Sequence, residues 1–417
     1  MLARSSYVHS LPHGNDRYMR IILDKDIIHS PSHLFYDDLT NEYGWSNEFS
    51  KDSYVITDKL GIIYDINEVR KLLGLSEIYP RFEVFQKAYC KLTAGPVPWF
   101  HVIPRKMFLN HMREVFSKAL NQISLENDSR YIGIFLSERE MLCELNTSCV
   151  DNVKIQGYID NEPNPTVKKS LQTFIGDDGW SPSIFYSQTT TLTGRLVVKK
   201  GPQILTLPKK YRDVLTSRYD GGQVMEIDFT SLEPTVLANL QGVEIGGDIY
   251  EELSRKVFDG EISRGITKVV MLSALYGASK NTLQGLIPKK YSAHDLVSKI
   301  HNFFNTRSLV HELSTEIKNT GYMHNFFGRR IKKTEEYRVI SHYLQSTAVD
   351  VALLGFKEIS RKIVGDGILP LYIIHDAMVL DVPKEGIEKL QAIVNKGIEI
   401  PQLGKFSLKL KPFHCSQ

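Results

Sequence analysis

The stretch Val224-Met225-Glu226-Ile227-Asp228-Phe229-Thr230-Ser231-Leu232-Glu233 decides the fold. Met225, Ile227 and Phe229 share one parity, and Glu226 and Asp228 share the other. In a strand, that alternation buries three apolar side chains and sets two carboxylates on the open face. Thr230 and Ser231 are helix-start residues, and Pro234 is tolerated in a first helical turn. Leu232, Val236 and Leu240 then recur at helical spacing. The reading is a strand, a carboxylate at its end, a tight turn and a helix. A carboxylate in that place can hold a metal over the edge of a sheet.

Moving downstream, the segment from Ser263 to about Leu275 reads as a helix, with Gly277 ending it. On it Arg264, Lys268, Leu272 and Tyr276 are each four apart, so they form one slowly drifting stripe. Two cations, an apolar residue and a flat ring in a row suit a triphosphate, a sugar and a base. The segment Gly321-Tyr322-Met323-His324-Asn325-Phe326-Phe327-Gly328-Arg329-Arg330 reads as a hairpin with a basic exit. A helix follows, with Arg338, His342, Gln345 and Asp350 on its polar positions and Val349, Leu353 and Leu354 inward. Last comes Leu371-Tyr372-Ile373-Ile374-His375-Asp376-Ala377-Met378-Val379-Leu380-Asp381-Val382, a hairpin whose arms are apolar and whose tip carries a carboxylate. A charged tip between buried arms is costly unless it is exposed or paired.

Upstream of the organising strand, Tyr186–Leu196 reads as a Thr-rich strand ending in Gly194-Arg195. Lys199, Lys200, Lys209, Lys210 and Arg212 follow, a set that can line a polyanion. Residues 91–175 read as mostly helical. Met107, His111, Val115 and Leu120 mark an apolar stripe there, and Arg105, Lys106, Arg113 and Lys118 supply a candidate grip on phosphates. Residues 19–90 alternate strand-like runs (Tyr18–Leu23, Ser53–Ile56) with a helical run from about Asn67, and residues 1–18 read as a loose arm. The N-terminal 90 residues contain no convincing acidic set for an editing exonuclease.

Composition bounds the function. A chain of 417 residues is too long for one small core and points to two or three subdomains. Apolar content of 42% and charged content of 24% are those of a globular protein. The net charge is only +3, so a polyanion site must come from local clustering. The four cysteines have no CxxC or finger spacing, which argues against a disulfide framework and for a reducing compartment. There is no signal-like N-terminal segment, and no apolar run approaches the ~18–20 residues that span a bilayer. These features read as a cytoplasmic protein without a membrane partner.

Asp228 and Asp376, on neighbouring strands, can share two Mg²⁺ ions, and such a pair clamps an attacking 3′-hydroxyl and a leaving pyrophosphate. At this point the chain resembles the polymerase region of family A DNA polymerases, the polymerase I group. Three motifs are similar: Asp228-Phe229-Thr230-Ser231-Leu232-Glu233; Arg264, Lys268, Tyr276 and Gly277; and His375-Asp376. Thr193-Gly194-Arg195, the Gly321–Arg330 hairpin and the Gln345–Asp350 helix also match, in the family's order, over about residues 180–390.

The resemblance implies an α+β right-hand fold with an antiparallel-sheet palm, helical fingers and a helical thumb, plus a small α/β N-terminal segment. Its parts would be residues 1–90, a thumb-like region 91–180, a first palm part 181–240, fingers 241–335 and a second palm part 336–417. The implied activity is template-directed addition of dNTPs to a primer on DNA. Asp228 and Asp376 would hold the two Mg²⁺ ions, with Mn²⁺ able to substitute, and the Phe229 carbonyl would be a third contact. Lys268 would assist the leaving group, Arg264 would hold the γ-phosphate, and Tyr276 would stack near the template base. Glu233 would exclude a ribose 2′-hydroxyl; a capping box with Thr230 is its local alternative. Arg195, Gln345, His375, Arg329 and Arg330 would touch the primer–template. A replication accessory protein bound through residues 1–90 and a phage or mobile-element origin complete the expectation.

Four departures stand out. Ala377 replaces an acid that the family has after His-Asp, and Leu272 replaces an aromatic. Arg338 is one residue off the family's spacing before Gln345. The interval from Asp228 to Arg264 is short, which implies trimmed fingers.

Overall fold

The computed structural model describes residues 20–21, 33–37, 42–46, 53–56 and 129–414, apart from 333. The chain separates into two compact units, Met1–Glu144 and Leu145–Gln417. In the first, a four-stranded sheet runs in the order Arg20–Ile21, Ser53–Ile56, His33–Asp37, Glu42–Ser46. Its first pair is parallel and the others antiparallel. The helix Ser129–Cys143 belongs to the same unit. The expected helix near Asn67 and the stripe at Met107–Leu120 lie outside the described residues.

The second unit is built on a four-stranded antiparallel sheet. Its strands are β1 (Gln223–Phe229), β2 (Leu369–Ile374), β3 (Ala377–Val382) and β4 (Leu408–Pro412), in the order β2-β3-β1-β4. Every pairing is antiparallel. The predicted alternation holds on one face of β1, where Met225, Ile227 and Phe229 are buried. Four helices matter for the site: α1 (Leu232–Leu240), α2 (Ile249–Phe258), α3 (Arg264–Tyr276) and α4 (Val339–Lys362).

Helix α4 lies against the end of β1, where Phe229 packs on Phe356 with ring centroids 5.4 Å apart. Gly355 makes that approach possible, because a Cβ there would stand 2.7 Å from the Phe229 ring. Between Val339 and Leu353 only His342, Gln345 and Val349 are not fully buried, so α4 opens to the cleft along one narrow stripe. Asp350, read as a polar position, is completely buried and receives the Asn325 amide at 2.6 Å. The predicted hairpin forms from Tyr322–His324 and Arg330–Lys332.

The Thr-rich segment departs from expectation. Strands form only at Phe185–Ser187 and Val197–Lys200, and Thr189–Thr193 turn between them. Local hydroxyl bonding competes with a strand ladder here. Thr190 Oγ1 donates to Ser187 Oγ at 2.9 Å, and Thr191 Oγ1 to the Arg195 carbonyl at 2.9 Å.

Candidate active site

The sheet register brings the two aspartates together across 148 residues. Ala377 stands opposite Asp228, and the Phe229 N–H donates to the Asp376 carbonyl at 3.1 Å. Because a strand residue's N–H and C=O point the same way, the Phe229 carbonyl faces the Asp376 turn. His375 and Asp376 form a two-residue hairpin loop between Ile374 and Ala377. Only His375 has positive φ, at 56°, a position that usually calls for glycine. Ser231, just past Asp228, is also left-handed, with φ 53°. Backbone strain therefore sits beside each aspartate, as it does at sites where side-chain placement matters more than stability.

Burial pushes the Asp376 carboxyl above the usual range, and the charge of Asp228 adds to the shift. Two mutually repelling carboxylates and a carbonyl form a set of hard oxygen donors. Mg²⁺ suits such a set, since it keeps waters and substrate phosphates as its remaining ligands. Among the described residues no group of three or more His, Cys, Asp and Glu side chains forms a complete metal cage. The residues present fit a metal that arrives with its other ligands.

Helix α3 is set by its caps. The Ser263 side chain accepts from the Ile266 N–H at the start, and Gly277 ends the helix with φ 67°. Thr267, Val270, Met271, Ala274 and Leu275 face the core, leaving Arg264, Lys268, Leu272 and Tyr276 along the open side. Arg264 is held by Asp248 at 2.6 Å and lies over the Tyr250 ring, 5.5 Å from its centroid. Lys268 approaches the same ring at 5.8 Å. Burial would raise the Asp248 carboxyl, but its bonds from Arg264 and from backbone N–H groups outweigh this and lower it. Asp248 and Tyr250 had no assigned role in the sequence reading.

Glu233 lies in the first turn of α1. The helix N-cap is Ser231, which makes no side-chain capping bond, so the capping-box alternative for Glu233 is not formed. Its carboxylate instead receives the Tyr276 hydroxyl and lies 3.4 Å from Arg195. Burial raises the Glu233 carboxyl; Arg195 opposes the shift and Asp376 adds to it. Gln345, with its amide oriented by its neighbours, accepts both Arg195 terminal nitrogens at 3.1 Å and donates to Thr193 Oγ1 at 2.7 Å.

One cleft of about 440 Å³ gathers these groups: Asp228, Phe229, Glu233, Arg264, Lys268, Leu272, Tyr276, Arg195, Gln345, His375 and Asp376 all line it. Arg329 and Arg330 do not. Arg329 is buried, donates to the Gln188 carbonyl at 2.5 Å and packs directly beneath Gly194. Arg330 lies over the Tyr322 ring at 4.7 Å. A run of basic residues gives no signal of which member is buried.

The edge strand β4 adds groups that the sequence reading missed. Lys409 stands opposite Asp228 and lines the cleft. Lys411 bridges Glu226 at 2.8 Å and Asp228 at 3.1 Å. Glu226, read from the alternation as lying on the open face, is instead buried between Lys411 and Arg212, whose charges satisfy its carboxylate. Among the described residues no helix is long and apolar enough to cross a membrane.

The chain has relatives among curated proteins and solved structures. It is 24% identical over 249 residues to the thermostable DNA polymerase I of Thermus thermophilus, a match covering 51% of this chain and 30% of that protein. It is 23% identical over 266 residues to DNA polymerase I of Streptococcus pneumoniae, covering 55% of this chain and 30% of the relative. The matched stretch thus spans about three tenths of these relatives' length. Among solved structures, the POL domain of Pol1 from M. smegmatis, in complex with DNA primer-template and dNTP, is similar with a TM-score of 0.61. That match has 14% identity and covers 84% of this chain and 81% of the other, a likeness of fold. With its two aspartates and the cationic helix meeting in one cleft, and with the model of DNA polymerase family A matching residues 161–412, the chain belongs to that family.

Proposed function

We propose that this chain is a template-directed DNA polymerase that extends a primer 3′-hydroxyl with dNTPs. The observation that carries the reading is the single cleft joining Asp228 and Asp376 to the Arg264–Tyr276 face of α3. In this reading the sheet is the palm and α3 the fingers helix. Arg264 and Lys268 grip the triphosphate, and Lys268 gives a proton to the departing pyrophosphate. Glu233, tied to Tyr276 and Arg195, closes the space beside the sugar C2′ and excludes a ribose hydroxyl. Arg195 and Gln345 act as one hydrogen-bonding unit toward the minor-groove edge of the primer terminus, and His375 lies by its phosphate. Arg329 acts from beneath, by supporting the Gly194-Arg195 turn.

Asp228, Asp376 and the Phe229 carbonyl would hold Mg²⁺, or Mn²⁺ in its place. When bound there, two such ions stabilise charge on the attacking and leaving oxygens. No editing site is assigned to residues 1–90. Extension of a labelled primer on a DNA template, by wild type and Asp228→Ala, tests the reading: extension that survives the substitution, or none by wild type in Mg²⁺ or Mn²⁺, refutes it. The second of those outcomes would favour a primer–template-binding protein of weak activity, a reading motivated by Ala377 opposite Asp228.

A further inference from the structure

Asp228 has unequal neighbours on its two sides. On β3 the residue across from it is Ala377, a methyl group that can neither donate nor accept. On β4, Lys411 stands across from Glu226 and reaches along the sheet to Asp228 Oδ2. Lys411 Nζ is 2.8 Å from Glu226 Oε1 and 3.1 Å from Asp228 Oδ2. The other Glu226 oxygen receives Arg212 at 3.1 Å, and Arg212 is itself seated over the Phe413 ring at 4.5 Å. Glu226 is thus satisfied by Arg212 on one oxygen and fixed on the other as an anchor for Lys411.

We propose that Lys411 is a positioning residue that competes with the divalent ion for Asp228. Its ammonium holds the Oδ2 oxygen. It also cancels charge. Glu226, Asp228 and Asp376 bring three negative charges, and Arg212, Lys411 and Lys409, which lines the cleft opposite Asp228, return three positive ones. With no acid at position 377, the protein alone offers a divalent cation a poorly matched site. The missing negative charge comes from the triphosphate, so the metal is retained only when the nucleotide is present. This inference rests on the polymerase reading for its biological meaning. Its physical content, competition between an ammonium and a metal for one carboxylate, does not.

The test is Mn²⁺ binding to the whole chain without nucleic acid, followed by electron paramagnetic resonance. Lys411→Met and Lys411→Gln should bind Mn²⁺ about tenfold more tightly than wild type, and Lys411→Arg about as wild type does, because only the first two remove the cation. Lys411→Gln keeps a donor for Glu226, so it serves if Lys411→Met does not fold. Asp228→Asn should abolish the gain. In primer extension, the Mg²⁺ concentration giving half-maximal rate should fall in parallel, with the dNTP KM at saturating Mg²⁺ unchanged. Equal or weaker Mn²⁺ binding by folded Lys411→Gln overturns the inference, as does binding that ignores Asp228. A Mn²⁺ shift without primer extension by any variant sinks the polymerase reading and leaves the competition standing.

Discussion

The hydroxyl of Tyr276, the last residue of α3, donates to the carboxylate of Glu233 in the first turn of α1. This bond ties the far end of the cationic helix to the residue that follows the Asp228 strand, and Arg195 lies on the other side of the same carboxylate. A hydrogen bond to a charged group contributes about 1.5–3 kcal/mol, so Tyr276→Phe should raise the dNTP KM by roughly 10–100-fold with a smaller change in kcat. Glu233→Ala should also admit ribonucleotides, raising the rNTP/dNTP ratio of kcat/KM by about tenfold or more. Single-nucleotide incorporation kinetics read both. An unchanged ratio in Glu233→Ala would remove Glu233 from the sugar gate.

The raised Asp376 carboxyl makes a prediction about stability. Its folded-state value lies above its unfolded one because of burial and the Asp228 charge. In the interval between the two values, the folded chain binds more protons than the unfolded chain, so stability falls as pH rises through it. Asp376→Asn should therefore melt at a higher temperature than wild type at pH 8 in the presence of a chelator. The difference should shrink toward zero as pH is lowered to about 4, the unfolded carboxylate range. The same variant should lose about 10³-fold or more in primer extension, since metal-held charge stabilisation is worth several kcal/mol. Calorimetry across pH and an extension assay check the two halves separately.

How much of this was legible beforehand follows from which signals are local. The α3 stripe and the β2–β3 hairpin are announced by periodicity and by turn residues within a dozen positions, and both formed where the sequence put them. Lys411 is different. Its meeting with Asp228 depends on β4 pairing with β1 across 183 residues, and a strand's own alternation says nothing about its partner or register. The Thr189–Thr193 segment misleads for another reason: β-branched residues favour strands on average, but here neighbouring hydroxyls and Gly194 turn the chain. Arg329 illustrates a third limit, because a basic residue is read as solvent-facing until a buried carbonyl is found to receive it.

Gly194 is where the turn and the buried arginine meet. It has φ 82°, and a Cβ there would stand 2.5 Å from the Arg329 guanidinium carbon. Arg329 is only 3% exposed and cannot swing aside into solvent. Gly194→Ala should cost about 1–3 kcal/mol from backbone strain alone, with the contact adding to it. Because Arg195 follows directly, primer–template affinity should fall together with the melting temperature. Arg329→Lys in the Gly194→Ala background should recover part of both, as the narrower ammonium vacates the space. Full stability in Gly194→Ala alone would mean that the turn is not held as described.

Arg195 and Gln345 lie 150 residues apart in the sequence, yet they share two hydrogen bonds at 3.1 Å, and Gln345 is fixed in turn by Thr193. If they meet the primer terminus as one unit, removing either should disable the other. Arg195→Ala and Gln345→Ala should each weaken primer–template binding or slow extension, and the double variant should be no worse than the more damaging single one. Residues in one hydrogen-bond network show coupling energies of about 0.5–3 kcal/mol, and this pair should fall in that range. Thr193→Val, which removes only the hydroxyl that anchors the amide, should reproduce a fraction of the Gln345→Ala loss and none in the Gln345→Ala background. Strictly additive losses would show that the two side chains contact the substrate independently, whatever bonds they make to one another in the free protein.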